Sequence, residues 1–189
     1  MAWLVSLAVQ RTSPGNNKIV SEPLANRLRG LLSTDVYTEK GRLRSDDLLV
    51  RQRVIRGLGE ASTQLKKLIS DWRTDRVPPS TREQPFPPAE VMEPIRKAER
   101  ILRSIEDTAT TINGLPLLSA DRVWDRVRKV GLDELLQFDW TLVGESDAFA
   151  TTAGGWYSLD EVDIPDAEAR IKRLRDVIGE RRRYLEILA

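Results

Sequence analysis

The stretch SDDLLVRQRVIRGLGEASTQLKKLISDWRTDR, residues 45–76, decides the fold class of this chain. Its mainly apolar positions recur every seven residues in three neighbouring columns, and together these make a stripe wider than the seam of a two-stranded coiled coil. The columns are Leu48, Ile55, Ser62, Ile69; Leu58, Leu65, Trp72; and Val54, Ala61, Leu68. A helix with so wide an apolar face packs against two or more neighbours, so we predict a central helix over Ser45–Arg76.

Two further segments share this helical periodicity. The segment between Pro88 and Gly114 carries apolar columns at Val91, Ile95, Ala98, Leu102, Ile105, Ala109 and Ile112. We predict that its helix starts at Pro94, because proline suits the first helical position. A third stripe runs through Pro165–Leu188 and is interrupted by Arg181. That end of the stripe is expected either to be incompletely buried or to find an acidic partner.

These segments predict an all-α fold, a helical bundle of about four to six helices in a single domain over residues 1–189. An antiparallel pair, Ser45–Arg76 with Pro94–Ile112, forms its centre. The proline-rich connection at 77–88 joins this pair as a stiff spacer. The C-terminal helix is expected to pack alongside the pair.

Three shorter segments give weaker signals. Short helices are predicted at Glu22–Leu32, with Ser21 as its capping residue, and at Asp121–Val130, with Ser119 or Ala120 at its start. A small β-hairpin near residues 138–159 is a secondary prediction, because Phe138, Trp140 and Leu142 alternate with polar residues.

The net charge of +1 conceals an uneven distribution. Residues 133–168 contain ten acidic residues and no lysine or arginine, which leaves 30 basic against 19 acidic residues elsewhere. One interpretation is that the charges form solvated helix faces with weak local ion pairs, such as Glu168 with Lys172. A second is that the arginines bind the phosphates of a nucleic-acid backbone or an acidic partner. A third is that the basic and acidic regions of neighbouring copies associate head to tail.

The candidate residues for binding nucleic acid or an acidic partner are basic residues on the three long helices. They are Arg51, Arg53, Arg56, Lys66, Lys67, Arg100, Arg103, Arg170, Arg173, Arg175, Arg182 and Arg183. Aromatic residues of the acidic segment are the candidates for contact with a protein partner, because large aromatic side chains are favoured at interfaces. These are Trp140, Trp156 and Tyr157.

The chain has no histidine and no cysteine. Serine–histidine–aspartate triads, thiol catalysis and the common zinc sites all require one of these residues. We therefore predict no catalytic residue, no cofactor and no metal. A divalent-cation site at Asp160, Glu161 and Asp163 is a weaker alternative, because Ser158 with Glu161 fits a helix-capping pattern better.

Three classes of function remain after these exclusions. The first is a non-enzymatic interaction subunit, such as an adaptor, a scaffold or a small structural component of a larger assembly, which binds a protein partner or itself. The second is a nucleic-acid-associated subunit, and the third is a carboxylate enzyme that uses a divalent cation. The apolar residues 1–10 are far shorter than the ~20 residues of a membrane span. We accordingly expect no membrane association and a cytoplasmic location.

Overall fold

The computed structural model describes residue 30, residues 43–115 and residues 126–188. Within these residues the chain forms four long α-helices and no β-strand. The helices are α1 (Leu43–Arg76), α2 (Ala89–Asn113), α3 (Leu132–Gly154) and α4 (Ile164–Leu188). The predicted all-α helical bundle is confirmed. The predictions for residues 1–10, for Glu22–Leu32 apart from Gly30, and for the part of Asp121–Val130 before Arg126 lie outside the described residues.

The wide apolar face of α1 packs against two neighbours, α2 and α3, as its three columns predict. Val54, Leu58, Ala61 and Leu65 are completely buried on this face. Helix α4 packs against the same two helices, so α2 and α3 separate α1 from most of α4. Buried side chains of all four helices form one core.

Polar contacts fix the directions of the helices. Lys66 pairs with Glu106 at 2.7 Å, and the indole of Trp72 donates to the carbonyl of Val91 at 3.0 Å. Later residues of α1 thus meet earlier residues of α2, which confirms the predicted antiparallel pair. Helix α3 runs parallel to α1. Arg53 of α1 forms an ion pair with Asp147, and Gln64, further along α1, donates to the carbonyl of Trp156, just after α3 ends.

The β-hairpin prediction for residues 138–159 is wrong, because most of that segment belongs to α3. Leu135, Leu142 and Phe149 follow one another at intervals of seven, and all three are buried. The alternation at Phe138, Trp140 and Leu142 buries only Leu142 fully. Helical spacing therefore accounts for the buried residues of this segment, and strand spacing does not.

Two helix starts also differ from the sequence-based boundaries. Helix α2 begins at Ala89, directly after the extended residue Pro88, so Pro94 lies inside the helix rather than at its first position. Proline at that position cannot bond to the carbonyl of Glu90, but Glu90 is exposed and its carbonyl can bond to water. Helix α1 begins at Leu43, two residues before the predicted start.

A π-helical turn, Val127–Gly131, leads into α3 and contacts the end of α4. The hydroxyl of Tyr184 donates to the carbonyl of Gly131 at 2.8 Å, and its ring packs on Phe138 with 5.7 Å between centroids. A side chain at position 131 would collide with the Tyr184 hydroxyl, which explains the glycine. Burial, followed by the negative charges of Glu134 and Asp133, raises the pKa of Tyr184 to about 12.

This raised pKa predicts a loss of stability in alkali. The folded protein favours the neutral phenol, so the stabilising contribution is fully present below the ordinary tyrosine pKa of 10.0 and is lost as the pH rises to about 12. In Tyr184→Phe, the free energy of unfolding should therefore fall less steeply across this interval than in the original protein. Urea unfolding at a series of pH values tests this, and identical slopes for the two proteins would contradict it.

No helix in the described part of the chain is long and apolar enough to cross a membrane.

Candidate functional site: an acidic aromatic groove at one end of the bundle

Half of the twelve basic candidate residues form ion pairs with carboxylates of the same chain. The pairs are Arg51–Asp47, Arg53–Asp147, Lys66–Glu106, Arg170–Asp166, Arg173–Glu145 and Arg182–Glu186. Arg51 is also buried and donates to the carbonyl of Leu115 at 2.5 Å, so its guanidinium is not presented to a partner. The hydrogen bond and charge of Glu145 raise the pKa of the Arg173 guanidinium above its ordinary value.

The other six basic candidates divide into two groups. Arg103 and Arg183 donate to carbonyls of their own helices, and Arg175 donates to the Thr108 hydroxyl and the Ser104 carbonyl of α2. Arg56, Lys67 and Arg100 are exposed and form no hydrogen bond or ion pair with the described part of the chain. The twelve residues therefore do not act as one uniform set of available cations.

Helix α3 explains much of the uneven charge distribution. Its carboxylates pair with arginines from both sides: Asp147 with Arg53 of α1, and Glu145 with Arg173 of α4. The acidic and basic regions that the sequence separates thus meet within one molecule. This internal pairing weakens the charge argument for head-to-tail association of copies.

The most deeply buried ion pairs join three helices. Arg181 of α4 donates to Asp139 of α3 at 2.7 Å and also bonds to Asp47 of α1. The Arg181 side chain is 2% exposed and both carboxylates are completely buried. Of the two expectations for Arg181, the acidic partner is the one that the structure bears out. We refer to Asp47, Arg51, Asp139 and Arg181 as the buried ion network.

The three aromatic candidates occupy different environments. Trp156 is 6% exposed and packs edge-on against Phe149, so the expectation that it contacts a partner has no exposed ring to support it. Trp140 is half-buried on α3. Tyr157, in contrast, is 85% exposed, although the preceding residue Trp156 is buried.

Local hydrogen bonds fix the backbone at and after Tyr157. Its backbone N–H donates to the Glu161 carboxylate at 2.8 Å. Ser158 caps the short 3-10 turn Leu159–Glu161, because its hydroxyl accepts from the N–H of Asp160. Asp163 then caps α4 through the N–H of Asp166 at 3.0 Å. The Ser158 bond supports the helix-capping interpretation of this acidic loop.

Tyr157 lies at a groove of about 210 Å³ between the end of α1 and the turn after α3. We call this the acidic aromatic groove. Helix α1 and the turn contribute the lining residues, which are Leu68, Asp71, Trp72, Asp75, Arg76, Tyr157, Ser158 and Leu159. The groove therefore combines two large aromatic rings with two carboxylates.

The Trp72 ring is held in place and already carries one cation. Its indole N–H donates to the Val91 carbonyl of α2, which prevents the ring from turning. The guanidinium carbon of Arg76 lies 5.2 Å from the ring centroid, within the range of a cation–π interaction. The contact between Arg76 and Trp72 thus shows that an arginine can lie against this indole.

The carboxylates of the groove remain available for a cationic ligand. Asp71 and Asp75 are exposed, and neither forms an ion pair with the described part of the chain. Asp160 and Glu161 follow the groove residue Leu159 directly and are also exposed. Arg76 is the only basic residue in the lining, so negative charge is in excess there.

This arrangement can bind a cationic side chain. The described residues contain no group of three or more acidic side chains that could hold a metal ion. Comparisons with protein-family models, with curated proteins and with solved structures found no match.

Sequence reasoning identified Tyr157 but missed the rest of the groove. It assigned Trp72 to the core, although Trp72 is half-buried and packs at the edge of the core. The missed signal is the placement of Asp71 and Asp75 one residue before and three residues after Trp72. Asp71 and Asp75 are four residues apart and so share one face of the helix, and Asp75, three residues after Trp72, lies next to that ring.

Proposed function

We propose that this protein is a non-enzymatic helical interaction subunit whose acidic aromatic groove binds an arginine side chain of a protein partner. The observation that carries this proposal is the exposed Tyr157 ring in one groove with Asp71 and Asp75, whose carboxylates form no ion pair with the described residues. One ligand can contact this exposed ring and also pair with the two carboxylates: a flat cation with an apolar stem.

Arginine fits this groove better than lysine for two physical reasons. Its planar guanidinium stacks on aromatic rings, and its fork of N–H groups can bond to a carboxylate through two hydrogen bonds. Arg76 already lies over one face of Trp72, so the partner's arginine is expected to lie between Tyr157 and the two aspartates. The carboxylates would repel phosphate, which favours a protein partner over a nucleic acid at this surface.

The interaction can be measured with a labelled synthetic peptide that carries three arginines between glycines. The full chain should bind it with a dissociation constant on the order of 0.1–1 mM, since the groove offers a few contacts of about 1 kcal/mol each. Replacing both groove carboxylates, Asp71→Asn with Asp75→Asn, should weaken binding about tenfold, and Tyr157→Ala should weaken it by a similar factor. Fluorescence anisotropy at low salt reports the binding.

A matched control changes the same charge elsewhere on the surface. Asp107 of α2 and Asp176 of α4 are exposed, and neither lines the groove. The double variant Asp107→Asn with Asp176→Asn should bind the peptide like the original protein, apart from a small general effect of net charge. Equal weakening in the control and groove variants would show that the peptide binds by general attraction, and would refute the proposal.

A further inference from the structure

The proline-rich connection between α1 and α2 displays an aromatic side chain to solvent. Five of its twelve residues, 77–88, are prolines. Residues 78–86 are exposed, and Phe86 is 80% exposed even though it is among the most apolar residues of the chain. An exposed phenylalanine in a stiff segment has the character of an interface anchor, because burying its large apolar surface is favourable.

Hydrogen bonds restrict this connection in addition to its prolines. The N–H of Val77 continues the hydrogen bonding of α1 by donating to Arg73, and the carbonyl of Pro88 accepts from the first turn of α2. Between them, the Thr81 N–H donates to the Gln84 carbonyl and the Gln84 N–H donates to the Thr81 hydroxyl. Arg82 is exposed inside the turn that these two bonds close. Such a preorganised segment loses little conformational entropy when it binds.

The connection lies at the same end of the bundle as the acidic aromatic groove. It leaves α1 directly after Arg76, and Asp71, Trp72, Asp75 and Arg76 line the groove. The chain therefore carries an exposed arginine and phenylalanine beside a groove whose carboxylates outnumber its one arginine. Arg82 and Phe86 remain exposed within one molecule, so the connection does not occupy the groove of its own chain.

We propose that the connection of one copy docks in the groove of a second copy, with Arg82 between Tyr157 and the aspartates Asp71 and Asp75, and with Phe86 against the outer edge of the same Tyr157 ring. This inference rests on the proposed function, and it names the protein partner as a second copy of the chain. Because connection and groove share one end of the molecule, a two-fold axis can form both contacts at once. The charges are complementary, and the two exposed aromatic rings are buried together.

The docking predicts a reversible dimer, which sedimentation velocity of the full chain at low salt can detect. We expect dimerisation at micromolar to millimolar concentrations and weaker association in higher salt. Phe86→Ser and Arg82→Glu should each raise the dimer dissociation constant at least about tenfold, because each removes or reverses a contact that is made twice.

Two control variants make the same chemical changes away from the proposed interface. Ile187 of α4 is 81% exposed at the opposite end of the bundle, and Arg100 is exposed on α2. Ile187→Ser and Arg100→Glu should leave the dimer dissociation constant unchanged within about twofold. A charge exchange, Arg82→Glu combined with Asp71→Arg and Asp75→Arg, should restore part of the association that Arg82→Glu removes.

Two outcomes overturn the inference: a protein that stays monomeric up to millimolar concentration, and a dimer that Phe86→Ser and Arg82→Glu leave intact. The arginine peptide then separates this failure from that of the proposed function. If the dimerisation test fails but the double variant Phe86→Ser with Arg82→Glu still binds the peptide in its groove, then the groove binds arginine and only the proposed dimer is wrong. If neither the peptide nor a second copy binds, both proposals fail.

Discussion

Arg181→Met is expected to lower the free energy of unfolding by about 3–5 kcal/mol, because it breaks a buried ion pair by removing one partner. The guanidinium is 2% exposed and bonds to Asp139 and Asp47, both of which are completely buried. Methionine fills similar space but takes the shared cation away from both carboxylates. A buried carboxylate that loses its cation keeps the cost of leaving water without the interaction that offset it.

The neighbouring arginine provides the control. Arg182 forms an ion pair with Glu186 four residues later, and its side chain is 58% exposed. Arg182→Met should change the free energy of unfolding by less than about 0.5 kcal/mol, because exposed pairs of this spacing contribute little. Urea unfolding followed by circular dichroism compares the two variants. Similar losses in both would show that the buried ion network does not stabilise the fold.

A compensating variant tests the physical cause. When Arg181→Met is combined with Asp139→Leu, one of the two carboxylates that lose their cation is removed as well. This double variant should be more stable than Arg181→Met alone, because a buried ion pair replaced by apolar residues of similar size often has little net effect. No recovery would indicate that the loss arises from packing rather than from the stranded charge.

The sequence predicted that the end of the stripe at Arg181 is either incompletely buried or finds an acidic partner, but it could not indicate which partner. Asp139 and Asp47 lie 42 and 134 residues away in the chain, and only the packing of α4 against α3 and near α1 brings them together. At the start of a helix, an aspartate such as Asp47 usually provides favourable charge at the N-terminus. Its burial depends on tertiary contacts that local spacing does not encode.

Helices α1, α2 and α4 were predictable because each carries a long apolar stripe on a solvated background. Helix α3 was not recognised, because the positions on its buried face include the polar residues Asp139 and Ser146. Asp139 is buried as part of the ion network, and the Ser146 hydroxyl donates to the Val143 carbonyl of its own helix. Polar residues that are satisfied inside the core interrupt the very pattern from which a helix is inferred.

The groove shows the same limit on prediction. The carboxylates beside Trp72 belong to α1, and Tyr157 follows α3, so their meeting depends on α1 and α3 being parallel neighbours. Nothing in the spacing of either segment determines that neighbour relation. Tyr157 could be singled out as an aromatic residue in an irregular acidic segment, but its companions could be found only in three dimensions.

The parallel packing of α1 on α3 depends on a glycine, and this gives the second large stability prediction. A β-carbon added at Gly57 would lie 3.0 Å from the carbonyl oxygen of Ser146 and 3.3 Å from the Ser146 β-carbon. The glycine at position 57 thus allows the backbones of α1 and α3 to approach closely. At Gly59, two residues further on, nothing lies within 4 Å of an added β-carbon.

Gly57→Leu is accordingly expected to lower the free energy of unfolding by about 1–3 kcal/mol or more, because the backbone of α3 must move away to admit the side chain. Gly59→Leu is the matched control on the exposed side of the same helix. It should raise the free energy of unfolding by about 0.5–1 kcal/mol, since leucine favours the helix more than glycine does. Because the free energy of unfolding is expected to fall in Gly57→Leu and to rise in Gly59→Leu, one urea-unfolding experiment separates the effect of packing from that of helix propensity. Equal stabilisation by both changes would mean that α1 and α3 do not approach closely at Gly57, and the arrangement of Trp72 and Tyr157 around the groove would then lose its structural basis.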